Sequence, residues 1–216
     1  EFRRVLFRSF VTIVMKLPKS WSEVTVPQLI ELEAINNDES LKSEPYPDIT
    51  KALLTLSLFS GESYESLEDQ PISYWKPQLK KLAFLDEMPS EKAVQKFRSG
   101  GYTWRVNFDL KKLSAGEYID LYELTKDRTI ILQNSGKILS LFCTPCNLFG
   151  QKVNIDKQKK QELLYNAPVN VVYPLTVFFC NLLKAYTEII EDYLISLNQK
   201  ANQEMKELKK QAQTTG

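Results

Sequence analysis

The sequence predicts an α+β fold, mostly α: six or seven helices around one β-hairpin at 93–109, followed by a long C-terminal helix. Three observations carry this. Apolar residues recur at helical spacing along most of the chain. One stretch, "AVQKFRSGGYTWRVNFDL", switches to a period of two around a Gly-Gly pair. And one helical stripe near the C-terminus runs for about forty residues, longer than a domain of this size is wide.

The elements follow in order. In "SEVTVPQLIELEAI" (22–35), Thr25 and Gln28 have capping-box spacing and Pro27 sits where its missing N–H costs nothing, so a helix starts there. Residues 31–49 hold six acids and one Lys and read as a solvated helix end and loop. In "PDITKALLTLSLFSG" (47–61), Ile49, Leu53 and Leu56 fall on one face and Gly61 supplies the stop. "ESYESLEDQPIS" is a polar turn segment with room for one short helix. "SYWKPQLKKLAFLDEMP" (73–89) is a third helix if Ser73 caps it, which leaves Pro77 in the first turn.

In the hairpin, Tyr102, Trp104, Val106 and Phe108 alternate with Thr103, Arg105, Asn107 and Asp109 after the Gly100-Gly101 turn. "SAGEYIDLYELTKD" (114–127) restarts helix with Ser114 and Glu117 as a second capping box. "RTIILQNSGKILSLFC" (128–143) is the next helix, stopped by Pro145, and "DKQKKQELLYNAP" (156–168) is a short one. From Leu175 the apolar positions step by three or four through Phe178, Leu182, Tyr186, Ile189, Tyr193, Leu197, Ala201, Met205 and Leu208. A stripe that outruns its own core must fray, pack back or meet a partner. This makes Tyr193, Leu197, Met205 and Leu208 the candidate partner-binding residues. The spacing keeps no strict heptad, which argues against an autonomous coiled coil.

Composition removes several function classes. The chain of 216 residues contains no histidine. Every Ser-His or Cys-His mechanism is therefore excluded, as is a His-containing zinc site. Lys and Arg (28) nearly balance Asp and Glu (27), so no global field draws a polyanion, and nucleic-acid binding would need a local patch. Arg105, Lys111 and Lys112 beside Trp104 and Phe108 give such a mix, but hairpin alternation already accounts for the aromatics as a buried face. Three cysteines, Cys143, Cys146 and Cys180, are too few for a secreted disulfide framework and point to a reducing compartment. "CTPC" puts Cys143 and Cys146 at redox-pair spacing, but after a helix and before a loop rather than at the start of a helix, which favours structural thiols. No metal or cofactor site is expected. No run reaches the roughly 18–20 apolar residues of a membrane span, and "VNVVYPLTVFFCNLL" (169–183) reads as a buried helix start.

The first nine residues, "EFRRVLFRS", match codon for codon the translation of a short-read sequencing adapter, GAG TTC AGA CGT GTG CTC TTC CGA TCT. Residues 1–14 are accordingly expected to be artefact and read-through, with Met15 as initiator and environmental DNA as the source. A single globular domain is expected over 15–197, with 198–216 a projecting or frayed helix end.

Four phrases, "MKLPKSWSEVTVPQLIEL", "LLTLSLFSGESYESLEDQPISYWKPQLKKLAFL", "YTWRVNFDLKKLSAGEYIDL" and "VVYPLTVFFCNLL", resemble the tail-assembly chaperones of tailed bacteriophages and cover most of 15–197. The C-terminus departs from that pattern in lacking a second, frameshift-type domain. The resemblance implies a non-enzymatic role, binding the tape-measure or tail-tube protein in the host bacterial cytoplasm. Self-association through the C-terminal helix is a further expectation; membrane contact is not expected and nucleic acid is disfavoured. The alternatives are a structural component retained in the virion and a thiol-redox protein using Cys143 and Cys146.

Overall fold

The computed structural model describes residues 15–89 and 92–214. Among them are eight α-helices and a three-stranded antiparallel sheet, so the fold is α+β and mostly α. Residues 1–14, the expected artefact and read-through, lie outside the described residues. Backbone contacts divide the chain after Pro89 into two compact units.

The first unit is helical: α1 (Val26–Asn37), α2 (Pro47–Ser60), α3 (Tyr64–Glu68) and α4 (Ile72–Lys81), with 3₁₀ turns at Glu39–Ser43 and Ala83–Asp86. The Thr25–Gln28 capping box opens α1, with Pro27 in its first turn. α2 ends at Gly61, whose φ of 75° is the left-handed geometry that glycine adopts without a Cβ penalty. The third helix differs from expectation. It starts after Pro71, which holds the cap position in place of Ser73, and it gives way to the 3₁₀ turn instead of running to 89. The buried side chains Leu29, Leu32, Leu53, Leu56, Phe59 and Leu67 come together because α1, α2 and α3 each turn one apolar stripe inward. Trp21 donates from Nε1 to the Glu87 carbonyl at 2.9 Å and meets Phe84 edge-on, tying the start of this unit to its end.

The second unit holds β1 (Lys96–Ser99), β2 (Tyr102–Val106), α5 (Ala115–Lys126), α6 (Ile131–Phe142), β3 (Cys143–Cys146), α7 (Lys157–Tyr165) and α8 (Val169–Thr214). Ser99 pairs with Tyr102 across Gly100 (φ 58°) and Gly101 (φ 78°). Positive φ at both central residues is the type I′ geometry that matches strand twist. The Ser114–Glu117 capping box opens α5 as predicted. The expected hairpin gains a third strand: "CTPC" pairs with β2, setting Trp104 opposite Pro145 and Val106 opposite Cys143. α6 ends at Phe142, Cys143 is extended (φ −97°, ψ 130°), and the residue before a proline is driven the same way. The strand order is β1-β2-β3, and a bridge from Cys146 to Lys152 adds a fourth rung outside β3.

α8 is 46 residues long, about 69 Å at ~1.5 Å per residue. Val169, Val172, Leu175, Phe179 and Leu183 are buried. The Phe179 ring stacks on Phe142 with centroids 3.6 Å apart, and Phe108 and Phe178 complete the cluster. Contrary to the sequence expectation, Val169–Ile189 is long and apolar enough to cross a membrane by length and composition. Part of its apolar surface, Val169, Val172, Leu175, Phe179 and Leu183, goes into the core, while Val177 and Ile189 stay exposed and 39% of the stretch is buried.

Candidate functional site

A groove of about 670 Å³ runs between the C-terminal half of α5, the turn at Arg128 and the N-terminal half of α8. Its position follows from local chemistry. Asp127 caps the 3₁₀ turn Arg128–Ile130, accepting from the Thr129 N–H and hydroxyl, and this turns the chain from α5 into α6. The same hydrogen bonds, the hydroxyl's first, hold the Asp127 carboxyl below its ordinary range. Asn134 donates to the Leu124 carbonyl and fixes α6 against the end of α5. Tyr118 and Thr187 share a hydroxyl–hydroxyl bond of 3.1 Å, which sets α5 against α8.

Ile131, Val177, Cys180 and Leu183 make the groove apolar, while Lys126, Arg128, Lys184 and Glu188 supply its charges. Tyr122 is 46% exposed and Val177 36%, so the apolar surface is offered to solvent. On α8, Val177, Lys184, Glu188 and Ile195 recur at steps of seven, four and seven, a single helical face. Beyond the groove, Ile195 on the same face is 55% exposed. Burial pushes the Cys180 thiol up to about 11, which leaves it protonated and a poor nucleophile at neutral pH. What this surface offers is shape, apolar area and a cationic rim, the features of a helix-in-groove interface.

Of the sequence-predicted residues, Tyr193, Leu197, Met205 and Leu208 all fall on the α8 backbone, but their side chains lie outside the described residues. Cys143 and Cys146 lie on β3, both about 1% exposed. Three residues apart on a strand, their side chains point to opposite faces and their Cα atoms are separated by about 10 Å. A disulfide needs Cα atoms within about 7 Å, so this strand cannot close one. Burial also pushes the Cys143 thiol up to about 12 against the opposing pull of Lys160. Lys160 is itself depressed, mainly by burial, and donates from Nζ to the Ser140 carbonyl at 2.6 Å. That bond serves the last turn of α6, where carbonyls lack intrahelical partners. Among the described residues, no group of three or more Cys, Asp or Glu is placed to hold a metal ion.

Sequence reasoning passed over the groove. Tyr122, Val177 and Lys184 lie on different helices or different turns, and only the crossing of α5 and α8 brings them together. It also passed over the turn after β3, where Leu148 is 79% and Phe149 89% exposed. A run of two large apolar residues between Asn147 and Gly150 was the available signal. No protein-family model, curated protein or solved structure matches the chain.

Proposed function

We propose that this chain is a non-enzymatic assembly factor of a tailed bacteriophage, which holds an amphipathic helix of the tape-measure or tail-tube protein in the α5–α8 groove and along α8. The observation that carries the reading is the mismatch between α8 and its core. Leu183 is the last buried side chain described on a helix that continues to Thr214, and Val177 and Ile195, on one helical face with Lys184 and Glu188 between them, are left exposed. A second helix laid along that face would cover both. The cationic rim of Lys126, Arg128 and Lys184 favours a helix with acids flanking its apolar stripe. Separation of Cys143 from Cys146 weighs against the thiol-redox alternative.

The test is co-purification from the host cytoplasm with a co-expressed tape-measure or tail-tube protein. The parent chain should retain that partner. Val177→Glu, which sets a carboxylate in the groove, should release it, and joint alanine replacement of Tyr193, Leu197, Met205 and Leu208 should weaken it. Mass spectrometry of purified virions should find the chain absent. Stoichiometric recovery in the particle would overturn the assembly-factor role in favour of a structural component.

A further inference from the structure

The sheet of the second unit has one face in the core; on the other, Thr103 and Cys146 are also buried, and exposed side chains stand around them. Phe97, Trp104 and Pro145 form a cross-strand row on the inner face, all buried. The outer face carries two rows: Lys96, Arg105 and Thr144, then Arg98, Thr103, Cys146 and Lys152. Its four exposed members are all cations, Lys96, Arg98, Arg105 and Lys152. None of them forms an ion pair among the described residues. The segments that build this face, 93–108 and 143–155, contain no Asp or Glu.

Leu148 and Phe149 stand beside these cations. Their turn is held by Asn147, whose Oδ1 accepts from the N–H groups of Phe149 and Gln151 at 2.9 and 3.0 Å and whose carbonyl accepts from Gly150. Gly150, at φ 79°, lies against the Arg105 guanidinium: a Cβ there would sit 2.9 Å from Nη2. The turn thus presents two adjacent, almost fully exposed apolar side chains at a fixed place on the rim of a cationic face.

We infer that this face binds an anionic phospholipid surface, with Leu148 and Phe149 inserted at the headgroup boundary and Lys96, Arg98, Arg105 and Lys152 on the lipid phosphates. A convex apolar tip partitions into a bilayer without needing a complementary pocket, and a few cations supply the second signal that stable attachment requires. Nucleic acid fits less well. Single-strand binders set aromatic rings among their cations, but here Phe97 and Trp104 face the core, and Leu148 has no π-face to stack. The expectation of no membrane contact came from looking for a span, and a surface anchor needs none. The inference stands apart from the groove, which uses other residues.

The probe is sedimentation of the full chain with vesicles of phosphatidylcholine alone or with about 30% phosphatidylglycerol. The chain should pellet with the anionic vesicles only, and less as salt rises from roughly 50 to roughly 500 mM. Leu148→Ser with Phe149→Ser should weaken partitioning by about a hundredfold or more. Arg98→Glu or Lys152→Glu should each weaken it at least about fivefold. Phe149→Trp should bind as well as the parent, a positive result that a misfolded variant cannot give. Equal binding to neutral vesicles, no binding at all, or full binding by the double serine variant would overturn the inference. So would a labelled single-stranded oligonucleotide that binds while the vesicles do not.

Discussion

Replacing Gly136 by alanine sets two effects of opposite sign against each other. Position 136 lies inside α6, where a glycine costs about 1 kcal/mol relative to alanine. On propensity alone, Gly136→Ala stabilises. The tertiary surroundings say otherwise. A Cβ at 136 would lie 2.8 Å from Tyr165 Cβ and 3.1 Å from the Tyr165 backbone nitrogen, and closer still to the Gln161 carbonyl oxygen. Two of these three atoms are backbone of α7, so no rotamer change relieves the contact; α7 must move away from α6. Overpacking of this kind costs typically 1–3 kcal/mol, and a backbone obstacle belongs at the upper end. The net expectation is destabilisation by about 1–2 kcal/mol, or roughly 2–8 °C in the melting midpoint of a chain this size. The control is Gly116→Ala in the first turn of α5, where the added Cβ meets nothing within 4 Å; it should be neutral or stabilising by up to about 1 kcal/mol. Urea unfolding of both variants checks the pair. If Gly136→Ala came out as stable as Gly116→Ala, α6 and α7 would not approach this closely and the packing argument would fall.

Three further expectations can be checked on the purified chain. Cys143 and Cys146, buried on opposite faces of β3, should resist a thiol reagent at mildly alkaline pH until denaturant is added, and mild oxidant should leave them unlinked. The Cys143 thiol is raised from 9.0 to about 12, so the folded state keeps its proton where the unfolded chain has lost it. Its stabilising contribution is complete below pH 9 and lost as pH rises towards about 12, and Cys143→Ala should flatten that fall relative to the parent in alkaline unfolding curves. Asp156→Ala removes the carboxylate that accepts the Gln158 and Lys159 N–H groups at the start of α7, and should cost about 1 kcal/mol in the same urea assay.

The helix starts were legible because they rest on neighbours in the chain. Thr25 with Gln28 and Ser114 with Glu117 both cap as their spacing foretold, and Gly61 and Gly100-Gly101 take positive φ where a stop and a hairpin turn require it. β3 was not legible. Four residues after a helix carry too little alternation to read, and the strand exists because β2, forty residues earlier, offers an open edge. The groove was illegible for a similar reason, since Tyr122 and Val177 become neighbours only when α5 and α8 cross. Net charge hid the rest. The total of +1 conceals seven Lys against thirteen Asp and Glu over 15–89, so the excess of cations lies elsewhere in the chain, the outer sheet face included. A sum over the sequence cannot show a field that the fold assembles from cross-strand neighbours.

Both proposed surfaces depend on one residue that faces neither. Phe142 is the last residue of α6; its ring stacks on Phe179 of α8, its carbonyl accepts from the Asn107 N–H just beyond β2, and the next residue begins β3. The stack and the strand junction therefore share an anchor. Loss of the ring would empty the space between α6 and α8 and release the start of β3, with the Leu148–Phe149 turn behind it. Phe→Ala in such a core costs about 3–5 kcal/mol, a large share of the stability of an ordinary domain. Groove variants such as Val177→Glu and turn variants such as Phe149→Trp leave this anchor intact. They can therefore separate loss of a binding surface from loss of the fold, which a substitution at Phe142 could not.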